Sequence, residues 1–179
     1  MKQRDNGIIR VAIILAVIII LDQITKIFIK TNFYQGESIP VLANFFSITY
    51  VRNTGAAFGF LASAGEIVRK IFLLGAPIIF GVWLGRMIWL SRNNAVFLNT
   101  GYTLILAGGI GNLIDRIAYG YVVDFLDCFY GTYHWPAFNV ADSSITIGAA
   151  VLIVDLVFFH KAESLASTDG PVAENDKGQ

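Results

Sequence analysis

Four long apolar stretches organise the chain, at about residues 8–29, 67–90, 95–114 and 141–159. A bilayer core about 30 Å thick takes roughly 20 helical residues to cross, and all four stretches come close to or exceed that length. The first contains the uncharged run from Val11 to Leu21, the third carries no charged residue, and the fourth is free of charge from Ser143 to Val154. Pro77 falls inside the second, a residue that membrane helices tolerate because neighbours satisfy the freed backbone groups. Lys2, Arg4 and Arg10 precede the first run as in a secretory leader. No small-residue cleavage site follows; the chain continues Leu21-Asp22-Gln23-Ile24-Thr25-Lys26, so the segment reads as a retained helix. The pattern predicts an all-α membrane protein, a bundle of four transmembrane helices in a single domain over 1–160.

The connections differ in character. Residues 31–65 are too many for a turn, and Phe45 to Val51 is β-branched and aromatic, followed by a turn at Asn53-Thr54-Gly55 and a short extended piece from Ala56 to Leu61. This predicts a small sheet at the membrane surface. The segment 117–140 holds Tyr119, Tyr121, Phe125, Phe129, Tyr130, Tyr133 and Trp135, the composition of a loop lying at headgroup depth and able to act as a lid or platform. Residues 161–179 turn small and polar and read as a disordered tail.

Composition agrees with the pattern. Apolar residues make up 55% of the chain and charged residues only 15%, too little polar surface for a soluble domain of this size. Thirteen basic and thirteen acidic residues cancel, which leaves no surplus charge for a nucleic-acid backbone. The single cysteine, Cys128, has no internal partner for a disulfide. An even number of crossings puts both termini on one side, and basic-residue counting places that side in the cytoplasm once Lys26 and Arg116 are set aside as site residues.

Charged and strongly polar side chains at membrane depth are costly, so each is a functional candidate. Asp22 and Lys26 lie one helical turn apart near the end of the first span, in the favourable acid-before-base order. At the same end of the third span comes Gly108-Gly109-Ile110-Gly111-Asn112-Leu113-Ile114-Asp115-Arg116, in which a spacing of four sets Gly108, Asn112 and Arg116 on one face. Helix packing accounts for the glycines. It does not account for Asn112, Asp115 and Arg116 together, which point to a polar cleft.

Asp124 lies just beyond the exit of the third span and Asp142 at the entry of the fourth, so both belong to one membrane face whichever way the chain is oriented. Singly, Asp142 reads as an acid in the first turn of a helix and Asp124 as a loop acid. Two such acids at one depth, flanked by apolar residues, favour a carboxylate pair. Two carboxyls in one site do not both ionise readily: one keeps a proton while the other acts as a base. The base can take a proton from water that attacks a peptide carbonyl, and the protonated partner can polarise that carbonyl and help release the amine.

These pieces together resemble the lipoprotein signal peptidase (signal peptidase II) family of the bacterial inner membrane over about residues 8–160. The resemblance rests on Asp22 with Lys26, Asn53 to Phe58, Gly108-Gly109 through Gly111-Asn112, Asp115-Arg116, Val122 to Phe125 and Phe138 to Asp142. It implies four transmembrane helices, a small β-cradle and a helix-bearing, aromatic-rich loop on the outer side, and cytoplasmic termini. The reaction it implies is removal of the signal peptide from a prolipoprotein, cut just before a diacylglyceryl-modified cysteine, with Asp124 and Asp142 as the catalytic pair. Asn53, Gly55, Gly108, Asn112, Arg116, Asn139 and Ala141 correspond to substrate-binding positions, and Asp22, Lys26 and Asp115 to structural support. No cofactor and no metal are implied; the partners are the lipidated prolipoprotein and the bilayer, with the enzyme a monomer.

Physical roles follow for several of these residues. Asn53 and Asn112 are neutral donors suited to the backbone of an extended peptide, and Arg116 to a substrate carbonyl or a carboxylate. Gly55 and Gly108 lack a side chain and so allow close passage of substrate. Asp115 reads as a brace for the helix end. A lipidated substrate stays at the membrane surface and can enter the site laterally. Other chemistries leave weaker traces: a serine-lysine dyad of Ser143 or Ser144 with Lys26, a thiol at Cys128 beside Asp127 and His134, or a proton or transport pathway through Asp155. No H-E-x-x-H or G-x-S-x-G pattern is present.

Overall fold

The computed structural model describes residues 3–55, 65, 67–68, 71–93 and 95–160. Helix α1 spans Gln3–Asn32. Strands β1 (Ser38–Leu42) and β2 (Phe46–Asn53) follow, then helix α2 (Ala76–Ser91), helix α3 (Val96–Tyr119), strands β3 (Val122–Tyr130) and β4 (Tyr133–His134), and helix α4 (Val140–Asp155). Among the described residues four helical segments are long and apolar enough to cross a membrane: Asn6–Asn32, Ile71–Ser91, Val96–Tyr119 and Val140–Phe158.

The third of these has a mean hydropathy of 1.2 against 1.9 to 2.4 for the others, because it is the central one. Helix α3 packs on α1, α2 and α4, so its polar groups meet protein instead of lipid. Its closest neighbour is α4, and glycines set the approach. A Cβ on Gly108 would lie 2.3 Å from the Ala141 carbonyl oxygen, and one on Gly148 would lie 2.8 Å from the Gly101 carbonyl oxygen.

Pro77 falls inside the second span as expected, where a π-helical turn at Ile71–Gly75 passes directly into α2. One boundary departs from that expected. Helix α3 runs past Ile114 to Tyr119 and ends at Gly120 (φ +78°), whose N–H donates to the Arg116 carbonyl. Asp115 does not end the span because it points inward and is fully buried.

The aromatic segment expected as a loop is largely sheet. Strands β1 to β4 form an antiparallel sheet in that order, with Asp124 opposite Val51 and Val122 opposite Asn53. A register shift between Ile48 and Val51 interrupts the β2–β3 ladder. Val122, Val123, Asp124 and Phe125 are all buried, which is why a β-branched and aromatic run pairs here instead of lying on the surface. Ile29, Tyr50, Val123 and Phe125 form the apolar core that seats the sheet on the end of α1. Ala56 to Leu61, expected as an extended piece, and the 161–179 tail lie outside the described residues.

Because the Gly148 contact is backbone against backbone, Gly148→Ala is expected to lower stability by about 1–3 kcal/mol through forced separation of α3 and α4. Gly109→Ala, which meets nothing within 4 Å, is expected to leave stability unchanged or slightly raised. Thermal unfolding of the two variants in detergent checks the contrast.

Candidate active site

The polar residues of three helices and two strands meet at one end of the bundle. At the centre is Lys26, only 2% exposed, whose Nζ lies 2.8 Å from Asp22 Oδ2 and 3.2 Å from Asp115 Oδ2. Asp22 and Asp115 are fully buried. An ammonium group and two carboxylates can occupy such a place only if their charges are paired and their remaining valences hydrogen-bonded.

Those remaining valences are spent on the backbone beside Asp124 and Asp142. Asp115 Oδ2 accepts the Val123 N–H at 3.0 Å, and Asp22 Oδ1 accepts the Ala141 N–H at 2.9 Å. Each of these carboxylates therefore holds the N–H of the residue immediately before one of the two acids. The third donation from Lys26 goes to Asn112 Oδ1 at 2.9 Å.

A lysine can only donate, so the Asn112 oxygen must face it and the Asn112 amide NH₂ must face the other way. There it donates to Asp142 Oδ1 at 2.7 Å. Asn139 is fixed by a similar argument. It caps α4 in a capping box, its Oδ1 accepting the Asp142 N–H at 2.9 Å while Asp142 Oδ2 accepts the Asn139 N–H at 3.2 Å. Its NH₂ is thereby directed at Asp124 Oδ1, 2.7 Å away. Asn53 Oδ1 accepts the Gly55 N–H, leaving its NH₂ for Asp124 Oδ2 at 3.0 Å.

Both carboxylates therefore receive neutral donors, with no ion pair to either among the described residues, and both line a cavity of about 1210 Å³. Asn53, Gly55, Asn112, Arg116, Trp135, Phe138 and Ile145 share that lining. Asp124 is 2% exposed. Burial, reinforced by the nearby charge of Asp142, pushes its carboxyl up to about 7, against the opposing pull of Asn53, Asn139 and Lys26. Arg116 donates from Nη2 to the Gly55 carbonyl at 3.2 Å, and its Nε is buried with no hydrogen-bond partner among the described residues.

Most of the residues singled out from the sequence converge here, in arrangements that differ in part from those anticipated. The amides of Asn53 and Asn112 are turned onto carboxylates, and Gly108 makes room for the Ala141 backbone of α4. Ala141 is fully buried in that same contact. The serine-lysine alternative has no geometry: Ser143 donates to the Asn139 carbonyl and Ser144 to the Leu104 carbonyl, while Lys26 is occupied by acids. His134 pairs with Asp127 at 2.9 Å on the sheet. Gln23 was missed; its Nε2 reaches Asp22, the Gly111 carbonyl and Asp115. Its signal in the sequence is a lone amide beside Asp22 in an otherwise apolar run.

The fold is thus a four-span membrane protein with a buried carboxylate, Asp124, and a half-buried one, Asp142, facing a large cavity, the architecture of a membrane-embedded site. A family profile described as Signal peptidase (SPase) II matches residues 14–158. The lipoprotein signal peptidase of Syntrophus aciditrophicus is 44% identical over 147 residues, covering 82% of this chain and 91% of that one. That of Shewanella amazonensis is 47% identical over 145 residues, covering 79% and 83%. A solved bacterial membrane enzyme superposes with a TM-score of 0.77 at 34% identity, covering 91% of this chain and 94% of the other. The chain belongs to the signal peptidase II family, and its relatives make it a protease.

Removing the lysine from the hub strands two buried carboxylates. Lys26→Met is expected to cost about 3–5 kcal/mol, read as a lowered unfolding midpoint in detergent; an unchanged midpoint would mean that the ion cluster is not holding the bundle end together.

Proposed function

We propose that this protein removes signal peptides from prolipoproteins, cutting just before the diacylglyceryl-modified cysteine, with Asp124 and Asp142 as an acid-base pair. One observation carries the reading above the others. A single side chain, Asn139, donates to Asp124 and accepts from the backbone of Asp142, so the two acids are set from one residue at the edge of one cavity. Membership of the signal peptidase II family supplies the substrate class.

In this reading Asp124 carries the shared proton and Asp142 is the base. Asp142 takes a proton from water as the water oxygen bonds to the scissile carbonyl carbon, and Asp124 gives its proton to the carbonyl oxygen. On collapse the C–N bond breaks, the amine leaves with the proton held by Asp142, and a hydroxyl proton of the tetrahedral intermediate returns to Asp124. Arg116 and the Gly55 backbone that it holds line the cavity and are positioned to bind an extended peptide. Asn53 and Asn112 act on the acids, Asn139 on both, Gly108 and Ala141 through the α3–α4 contact, and Asp22, Lys26 and Asp115 as support. The bundle sits in the bacterial inner membrane with the site and sheet at the outer face and both termini in the cytoplasm, and the lipidated substrate enters from the bilayer.

Asp124→Asn and Asp142→Asn are each expected to lower cleavage of a lipidated prolipoprotein by at least about 10³-fold while the protein stays folded. Ser143→Ala and Cys128→Ala are expected to keep cutting. The reverse pattern would overturn the carboxylate reading. Because the proton on Asp124 is required and is lost as pH rises through about 7, kcat/KM is expected to fall on the alkaline side with an apparent pKa near 7. A pH–rate profile flat to pH 9 would contradict that assignment.

A further inference from the structure

The ion cluster beneath the site carries an imbalance. Asp22 and Asp115 contribute two negative charges and Lys26 one positive, all three buried. Two carboxylates held this close repel each other, and the lysine alone bonds only one oxygen of each. The oxygens of Asp115 are divided: Oδ2 serves Lys26 and the Val123 N–H, and Oδ1 faces Gln23 Nε2 at 3.2 Å. The same Gln23 nitrogen lies 3.1 Å from Asp22 Oδ2 and 3.2 Å from the Gly111 carbonyl oxygen.

The two hydrogens of this NH₂ are shared among three acceptors, so Gln23 bridges both acids, alongside the lysine, and reaches the α3 backbone. What it holds matters for the site, because these two carboxylates carry the Val123 and Ala141 peptides that precede Asp124 and Asp142.

We propose that Gln23 is a positioning residue: by bonding Asp22 and Asp115 together it fixes the two peptides that set the facing of Asp124 and Asp142. The inference rests on the carboxylate reading above. With its amide gone, Asp22 and Asp115 separate and the peptide N–H groups they hold move with them, which degrades the alignment of the acids without touching the cavity wall that receives substrate. The charges that face this unit are Asp22 and Lys26 from α1, Asp115 and Arg116 from α3, Asp124 from β3 and Asp142 from α4. Asp22 and Lys26 both act electrostatically on Asp142, and Lys26 also on Asp124. A cation placed at position 23 would therefore be felt by the acids.

The test compares Gln23→Leu, which removes the donor at similar volume, with Gln23→Lys, which restores N–H donation and adds a positive charge. Each is assayed as full-length protein in detergent on a lipidated prolipoprotein. For Gln23→Leu a fall in kcat of about tenfold or more is expected with KM within about twofold, because alignment and not binding is lost. For Gln23→Lys, kcat is expected to stay within about threefold of the parent, with the alkaline limb of the pH–rate profile moved down by about half a unit to one unit. A purely structural role would lower both variants alike and change KM together with kcat, and that result, or a Gln23→Leu variant within twofold of the parent, overturns the proposal. Should Gln23→Leu not fold, Gln23→Met, which also lacks the donor, is read by the same kcat and KM criteria. Asp124→Asn and Asp142→Asn are run beside them: if those still cut, the carboxylate reading has failed, whereas inactive Asn variants with unaffected Gln23 variants sink only the role of Gln23.

Discussion

A lysine ammonium buried between two aspartates is the constraint on which the rest of this structure depends. Lys26 has three donors and no acceptor, and in a site closed to water every one of them must be used. Two go to Asp22 and Asp115, and the third fixes the direction of the Asn112 amide. The amide NH₂ of Asn112 is thereby turned to Asp142, while that of Asn139, whose oxygen caps α4, faces Asp124. A charge cluster that is expensive at membrane depth serves as the reference point for the polar end of the protein.

The same cluster joins elements that are distant along the chain. Asp22 on α1 holds the first turn of α4, and Asp115 on α3 holds the start of β3. The capping box at Asn139 then does two things with one set of atoms, starting α4 and presenting Asp142. Lipid supplies no hydrogen bonds, so a helix beginning within reach of the bilayer must satisfy its first N–H groups internally. Here that requirement and the placement of a carboxylate are met by the same two residues. Low polarity around Asp124 follows from the seating of β3, with Val122, Val123 and Phe125 buried on either side of it.

Much of this was legible in the sequence, for physical reasons that can be named. Spans are set by length and apolarity, and the two groups of residues in and beside α1 and α3 stand out because charge at membrane depth demands an explanation. Ends of elements were harder. Asp115 and Arg116 read as the end of a span, yet Asp115 turns inward, so α3 continues to Tyr119. The segment rich in tyrosine and phenylalanine read as an interfacial loop because aromatic residues favour both headgroup depth and paired strands, and only its partner β2, far away in sequence, decides between them. The direction of an amide is invisible in sequence altogether. Asn53 and Asn112 were legible as donors, but that their donors serve Asp124 and Asp142 depends on Gly55 N–H and Lys26 claiming the oxygens.

The protonation of Asp124 is the point at which burial, the amide network and the proposed chemistry all meet. It can be read directly by infrared difference spectroscopy of the carboxyl groups during a pH titration of the detergent-solubilised protein, with Asp124→Asn for assignment. A protonated carboxyl band that persists to neutral pH, disappears with a midpoint near 7 and is missing from Asp124→Asn is the predicted result. If every carboxyl assigned by that comparison is already ionised at pH 5, the network does not hold a proton on Asp124 and the account of the site is wrong.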